Sequence, residues 1–163
     1  MLDREQGLSM EEQSMTTLLV TNRLLPFVRG EVPGFVNIEL YLIEWLNKRY
    51  STTVELSFAH GLRQGPQTLR STGFDVHQDT EEFGFIEYTV VVKLTPSAPG
   101  EPPSQMTVVG AQHHFDYGTG AGAAGAFLAR LHHASVAPHR RCKEHLKMAF
   151  FFRKGERRAK RGR

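Results

Sequence analysis

Cysteine is nearly absent from this chain: its 163 residues include one, Cys142. An internal disulfide is therefore excluded, and so is a zinc site built from several thiolates. Any metal has to be held by His, Asp or Glu. The scarcity of thiols fits a reducing compartment, so the expected location is intracellular, cytoplasmic or nuclear. No apolar run approaches the ~20 residues of a membrane-spanning helix, and the acidic, Met-rich start is not a secretory signal. No membrane partner is expected. A phosphate loop is missing as well, because Gly118 to Gly125 lacks the Lys-Ser/Thr that closes one. No Gly-x-Ser-x-Gly elbow is present to expose a nucleophilic serine.

The length suits one domain with a sizeable core. The net charge of +3 comes from one end of the chain. Arg153 to Arg163 carry seven Lys/Arg and one Glu, while the remainder holds thirteen basic and sixteen acidic side chains. The body is thus mildly acidic. Such a tail can be a nuclear address, an arm for an acidic partner such as a nucleic acid, or a solubilising end. The expected organisation is a disordered N-terminus over 1–15, one domain over 16–152 and a disordered basic tail over 153–163.

Along the body, Leu18 to Val28 is apolar and suits a strand or a short helix. Phe35, Ile38, Leu42, Trp45 and Leu46 recur at helical spacing, so Val36 to Arg49 reads as an amphipathic helix. Beyond it the pattern becomes that of strands: Thr52–Phe58, Phe74–His77, Phe85–Leu94, Gln105–Ala111, His113–Tyr117 and Leu146–Phe152. Gly61–Gln67, Thr80–Gly84 and the proline-rich Thr95–Ser104 read as loops, and Ala121–Leu131 as a small-residue segment leading to His132 and His133. Helical support followed by about eight short strands is the layout of a mainly β, double-stranded β-helix (jelly-roll) barrel.

The chemistry concentrates at His77-Gln78-Asp79 and, fifty-six residues later, His132-His133. On a continuing strand, Asp75, His77 and Asp79 share one face. Two imidazoles and a carboxylate can occupy one face of a metal ion and leave the other open, the arrangement that suits non-haem Fe(II). His132 and His133 point to opposite sides of any strand, so one faces inward, and parity alone leaves both open. Adjacent His113 and His114 read as surface residues, and His60, His139 and His145 as ordinary ones.

Gly73 to Thr80, Tyr88 to Leu94 and Gly122 to Pro138 together resemble the 2-oxoglutarate/Fe(II) oxygenases of the prolyl 4-hydroxylase-like group. The matched pattern is His-x-Asp, core strands, and a Gly…Phe…His-x-x-x-Pro segment; it covers roughly Phe74 to Phe152. The resemblance implies His77, Asp79 and His133 as metal ligands, with Fe(II), 2-oxoglutarate and O₂ as cofactor and cosubstrates. It implies Lys143, ten positions after the distal His, as the partner of the far 2-oxoglutarate carboxylate. Arg140, Arg141, Lys147 and Lys93 compete for that role, and Tyr88 could equally hydrogen-bond the cosubstrate or pack in the core. The implied reaction is hydroxylation of a substrate C–H with decarboxylation of 2-oxoglutarate to succinate, on a protein residue or a small molecule. The rival expectations are a cupin-like metal protein that does not use 2-oxoglutarate, an inactive jelly-roll binding module, and a nucleic-acid-binding protein acting through its tail.

Overall fold

The computed structural model describes residues 15–20, 23–64, 76–82, 84–97, 99–100, 105–108, 114–116, 119–135 and 145–155. The chain opens with strand β1 (Met15–Val20), then helices α1 (Leu25–Glu31) and α2 (Phe35–Tyr50). Strand β2 (Val54–Gln64) follows, then the one-turn helix α3 (Asp79–Glu82) and β3 (Ile86–Lys93). The remaining strands are β4 (Gln105–Val108), β5 (His114–Asp116), β6 (Ala124–Leu128), β7 (His133–Ser135) and β8 (His145–Lys154). They form a five-stranded sheet in the order β1-β2-β8-β3-β6 and a three-stranded sheet in the order β5-β4-β7. Every named pairing is antiparallel. This is the expected jelly-roll barrel with helical support.

Helix α2 forms where the spacing predicts it, but its buried face is narrower than expected: Ile38 and Trp45, both part of the apolar stripe, are exposed. Phe35, Glu39, Leu42 and Leu46 are buried, at i, i+4, i+7 and i+11. Gly34 precedes the helix at φ 82°, a left-handed conformation that glycine adopts without a Cβ penalty. At the other end the Asn47 side chain accepts the Val54 N–H at 3.0 Å, which ties the helix to the start of β2. Buried Glu39 is held by the Arg29 guanidinium of α1, with Nε 2.8 Å from Oε2. That partner offsets the cost of burying a carboxylate.

The large sheet is buried on both faces. On the helix side, Leu56, Tyr88, Val90, Val92, Phe150 and Phe152 pack with Phe35, Leu42 and Leu46. On the other side, Phe58, Ala149 and Phe151 form a second cluster, and Phe58 stacks on Phe151 at 4.4 Å. The run Phe150-Phe151-Phe152 therefore feeds both layers by strict alternation. Register shifts in β2 between Leu56 and Phe58, and in β3 between Ile86 and Tyr88, re-aim the side chains beyond them. This is why Leu56 belongs to the helix-side cluster and Phe58 to the barrel-side one.

Several boundaries differ from the sequence expectation. The apolar stretch after residue 17 divides into a strand and a helix, because Pro26 suits the first helical turn. Strand β2 runs through Gly61, where a loop was expected, as far as Gln64, paired with β1 and β8, and the rest of the expected loop lies outside the described residues. Met15 already lies in β1. Arg153 and Lys154 belong to β8 and not to the tail, and Arg153 Nε lies 3.0 Å from Glu55 Oε1. The disorder expected over 1–14 and 156–163 lies outside the described residues. No helix among the described residues is long and apolar enough to cross a membrane.

Candidate metal centre

His77 and His133 come together through the backbone. They form an isolated antiparallel bridge: the His77 N–H donates to the His133 carbonyl at 3.0 Å, and the His133 N–H returns to the His77 carbonyl at 2.8 Å. Residues directly opposite on antiparallel backbones project to the same side. Accordingly the two rings lie 4.4 Å apart, centroid to centroid.

Asp79 arrives by a different route from the one expected. It does not continue a strand from His77 but begins α3, and its N–H donates to the Ala129 carbonyl at 3.1 Å. The period-two argument is thus replaced by a turn, which still delivers the carboxylate. Asp79 Oδ1 lies 3.6 Å from His77 Nε2 and 3.7 Å from His133 Nε2. Ligating atoms of the three residues all fall within 4.8 Å of one another. Adjacent octahedral ligands at ~2.1 Å from an ion sit about 3 Å apart, so small side-chain movements would close the set.

The surroundings prepare His133 for such a role. It is buried, and its Nδ1–H donates to the Leu131 carbonyl at 2.9 Å. That contact fixes the tautomer and leaves the Nε2 lone pair facing Asp79. The Phe127 ring packs against it at 4.4 Å. Burial lowers the His133 pKa, opposed by its bond to Leu131 and by the Asp79 charge. His77 is more open, with 41% of its side chain exposed. His132 turns outward, where its Nδ1 receives the Gln78 side-chain amide at 3.0 Å. The structure thus separates the neighbouring histidines that parity left open.

Thr89 was missed by the sequence reading. Its hydroxyl donates to Asp79 Oδ2 at 2.5 Å from the centre of β3. The available signal was its alternation with Tyr88 and Val90: if those face the helices, Thr89 faces the barrel. The same alternation puts Tyr88 on the opposite face. Its ring belongs to the helix-side core and stacks on Tyr50 at 4.8 Å, on the sheet face opposite Thr89 and Asp79. Lys93 shares the Thr89 face by parity, and Lys147 stands directly across from Lys93 on β8. Both lysines are buried, and Lys93 Nζ contacts Ser97 Oγ. Asp75, Arg140, Arg141 and Lys143 lie outside the described residues.

The fold is similar to that of solved oxygenases. An oxidoreductase of the 2OG-Fe(II) oxygenase family from Burkholderia pseudomallei aligns at TM-score 0.59 and 10% identity, over 86% of this chain and 68% of its own. The fold is that of the 2-oxoglutarate/Fe(II) oxygenases. A Pseudomonas putida prolyl-4-hydroxylase aligns at TM-score 0.59 and 15% identity, over 87% and 73% of the two chains. A non-haem α-ketoglutarate-dependent carbocyclase from nogalamycin biosynthesis aligns at TM-score 0.64 and 11% identity, over 86% and 64%. At these identities the likeness is one of fold. No family model matches the sequence, and no curated protein matches it.

Proposed function

We propose that this protein is an Fe(II)- and 2-oxoglutarate-dependent dioxygenase that hydroxylates a substrate C–H bond. The observation that carries the reading is the convergence of His77, Asp79 and His133, whose ligating atoms lie within 4.8 Å of one another. The donor set fits Fe(II): two neutral imidazoles and one carboxylate, with open positions opposite. Iron bound there, with 2-oxoglutarate and O₂, would supply C–H hydroxylation, one oxygen atom going to the substrate and the other to succinate as CO₂ leaves.

The chain's own residues would divide the remaining work. His133 presents Nε2 because Leu131 holds its other nitrogen. His77, half-exposed, marks the side from which substrate reaches the centre. The far carboxylate of 2-oxoglutarate needs a cation, since a buried carboxylate is costly without one. The family resemblance implies Lys143 as that cation. Lys93 and Lys147 are strong competitors, because both lie on the barrel face that carries Thr89, four residues along β3 from it.

Two measurements test the reading. Anaerobic titration with Fe(II) and then 2-oxoglutarate should produce the weak visible charge-transfer band of the bound chelate, and aerobic incubation should release succinate. Neither signal from folded protein would end the proposal. Lys143→Met, Lys93→Met and Lys147→Met, which keep most of the side-chain bulk, locate the anchor. The correct one should raise the apparent constant for 2-oxoglutarate by two to three orders of magnitude, since stranding one partner of a buried pair costs ~3–5 kcal/mol. Fe(II) affinity should change much less.

A further inference from the structure

We infer that Thr89 is a positioning residue for the metal centre: its hydroxyl pins one oxygen of Asp79, so that the carboxylate meets an ion with the other oxygen only. The inference rests on the metal reading above and adds a residue and a binding mode to it.

The two carboxylate oxygens of Asp79 have different surroundings. Oδ1 is the oxygen that faces both imidazoles, at 3.6 and 3.7 Å. Oδ2 accepts the Thr89 hydroxyl at 2.5 Å. Both residues are buried, Thr89 at 2% exposure and Asp79 at 7%. Thr89 stands in register between Phe151 of β8 and Phe127 of β6. Flanking aromatic rings keep water from competing for the hydroxyl, and a hydrogen bond in such a setting is stronger than an exposed one. The backbone is held too, through the Asp79 N–H on Ala129. The carboxylate is therefore fixed at both ends before any ion arrives.

The consequence is geometric. A free aspartate can bind a cation through one oxygen or two. With Oδ2 committed to Thr89, Asp79 would offer one oxygen, so His77, Asp79 and His133 would hold an ion through one atom each. A β-branched threonine on a central strand is a stiff mount for the donor, because its χ1 is restricted. Sequence inspection overlooks such a residue, since an isolated threonine in a run of valines reads as strand propensity.

Co²⁺ is a suitable probe, since its affinity and the intensity of its visible bands report ligand number without turnover. Thr89→Val keeps the shape and removes the donor. It should weaken Co²⁺ by about 10–100-fold, the usual cost of losing an outer partner of a ligand, and alter the visible bands. Thr89→Ser should restore both. If Thr89→Val does not fold, Thr89→Ala serves with the same expectation. The inference is overturned if either folded variant matches the wild type in Co²⁺ affinity and spectrum, or if Thr89→Ser behaves like Thr89→Val. A wild-type protein that binds neither Co²⁺ nor Fe²⁺ stoichiometrically would instead bring down the metal reading itself.

Discussion

The two faces of the large sheet are made of alternate residues of the same strands, yet they do opposite work. Toward the helices, β3 presents Tyr88, Val90 and Val92, and β8 presents Phe150 and Phe152. Toward the barrel, β3 presents Thr89 and Lys93 and β8 presents Lys147, set beside the smaller apolar cluster of Phe58, Ala149 and Phe151. One face is apolar and close-packed, and it holds the sheet to α2. The other accepts buried polar groups, each of which has to be satisfied or lose stability. Stability and chemistry are thus separated by a distance of one residue. Substitutions on neighbouring positions should therefore fail in different ways.

The largest expected effect is on the helix side. Phe150 is fully buried in the cluster with Phe35, their centroids 5.8 Å apart. Phe150→Ala should cost ~3–5 kcal/mol by lost burial and a residual cavity, read by denaturant unfolding. Against it, His133→Ala should abolish stoichiometric Fe(II) binding at a smaller cost in the metal-free protein's stability. His132→Ala, on the outward side, should leave iron binding nearly intact. If Phe150→Ala unfolds no more easily than His133→Ala, the division between the faces is wrong. If His132→Ala loses iron and His133→Ala does not, the ligand has been assigned to the wrong neighbour.

A smaller effect should appear with pH. The His133 imidazole is held below its ordinary pKa, chiefly by burial. Between that lowered value and the ordinary ~6.5, the unfolded chain binds a proton that the folded one refuses. Its contribution is therefore fully present above about pH 6.5 and is lost as pH falls toward the folded value. The melting temperature of metal-free protein, followed downward from pH 7.5, should decline more steeply for the wild type than for His133→Gln. Parallel profiles would mean that burial of this imidazole has no energetic weight.

Much of this division was legible in the sequence, and the reasons are specific. Helix α2 and the phenylalanine run are long and periodic, so the elements themselves were legible, although Ile38 and Trp45 of the α2 stripe lie exposed and Glu39 takes a buried place. His77, Asp79 and His133 were legible as a set because a spaced motif survives errors in local geometry. Asp79 was expected on a strand and opens a helical turn instead, yet the carboxylate still reaches both imidazoles. Two kinds of information were missing. Bulges in β2 and β3 reverse which parity faces inward, and no composition signal marks them. Partner assignments across strands, such as Thr89 with Asp79 or Lys93 opposite Lys147, depend on register, which a single strand does not encode.

The smallest expected effect falls on Tyr88, and it bears most directly on the boundary between the faces. As a strand residue next to Thr89, it was a reasonable candidate to touch the cosubstrate. Its ring stacks instead on Tyr50 at the end of α2, and burial raises its hydroxyl pKa. Tyr88→Phe keeps the ring and its packing, so the change in stability should stay within about 1 kcal/mol, the scale of one hydrogen bond. The apparent constant for 2-oxoglutarate should not move, because the sheet itself lies between this side chain and the barrel. A several-fold rise in that constant with unchanged stability would mean that Tyr88 reaches the cosubstrate after all. The strand would then have to turn its other face inward when ligands bind, and Thr89 could not hold Asp79 in the same state.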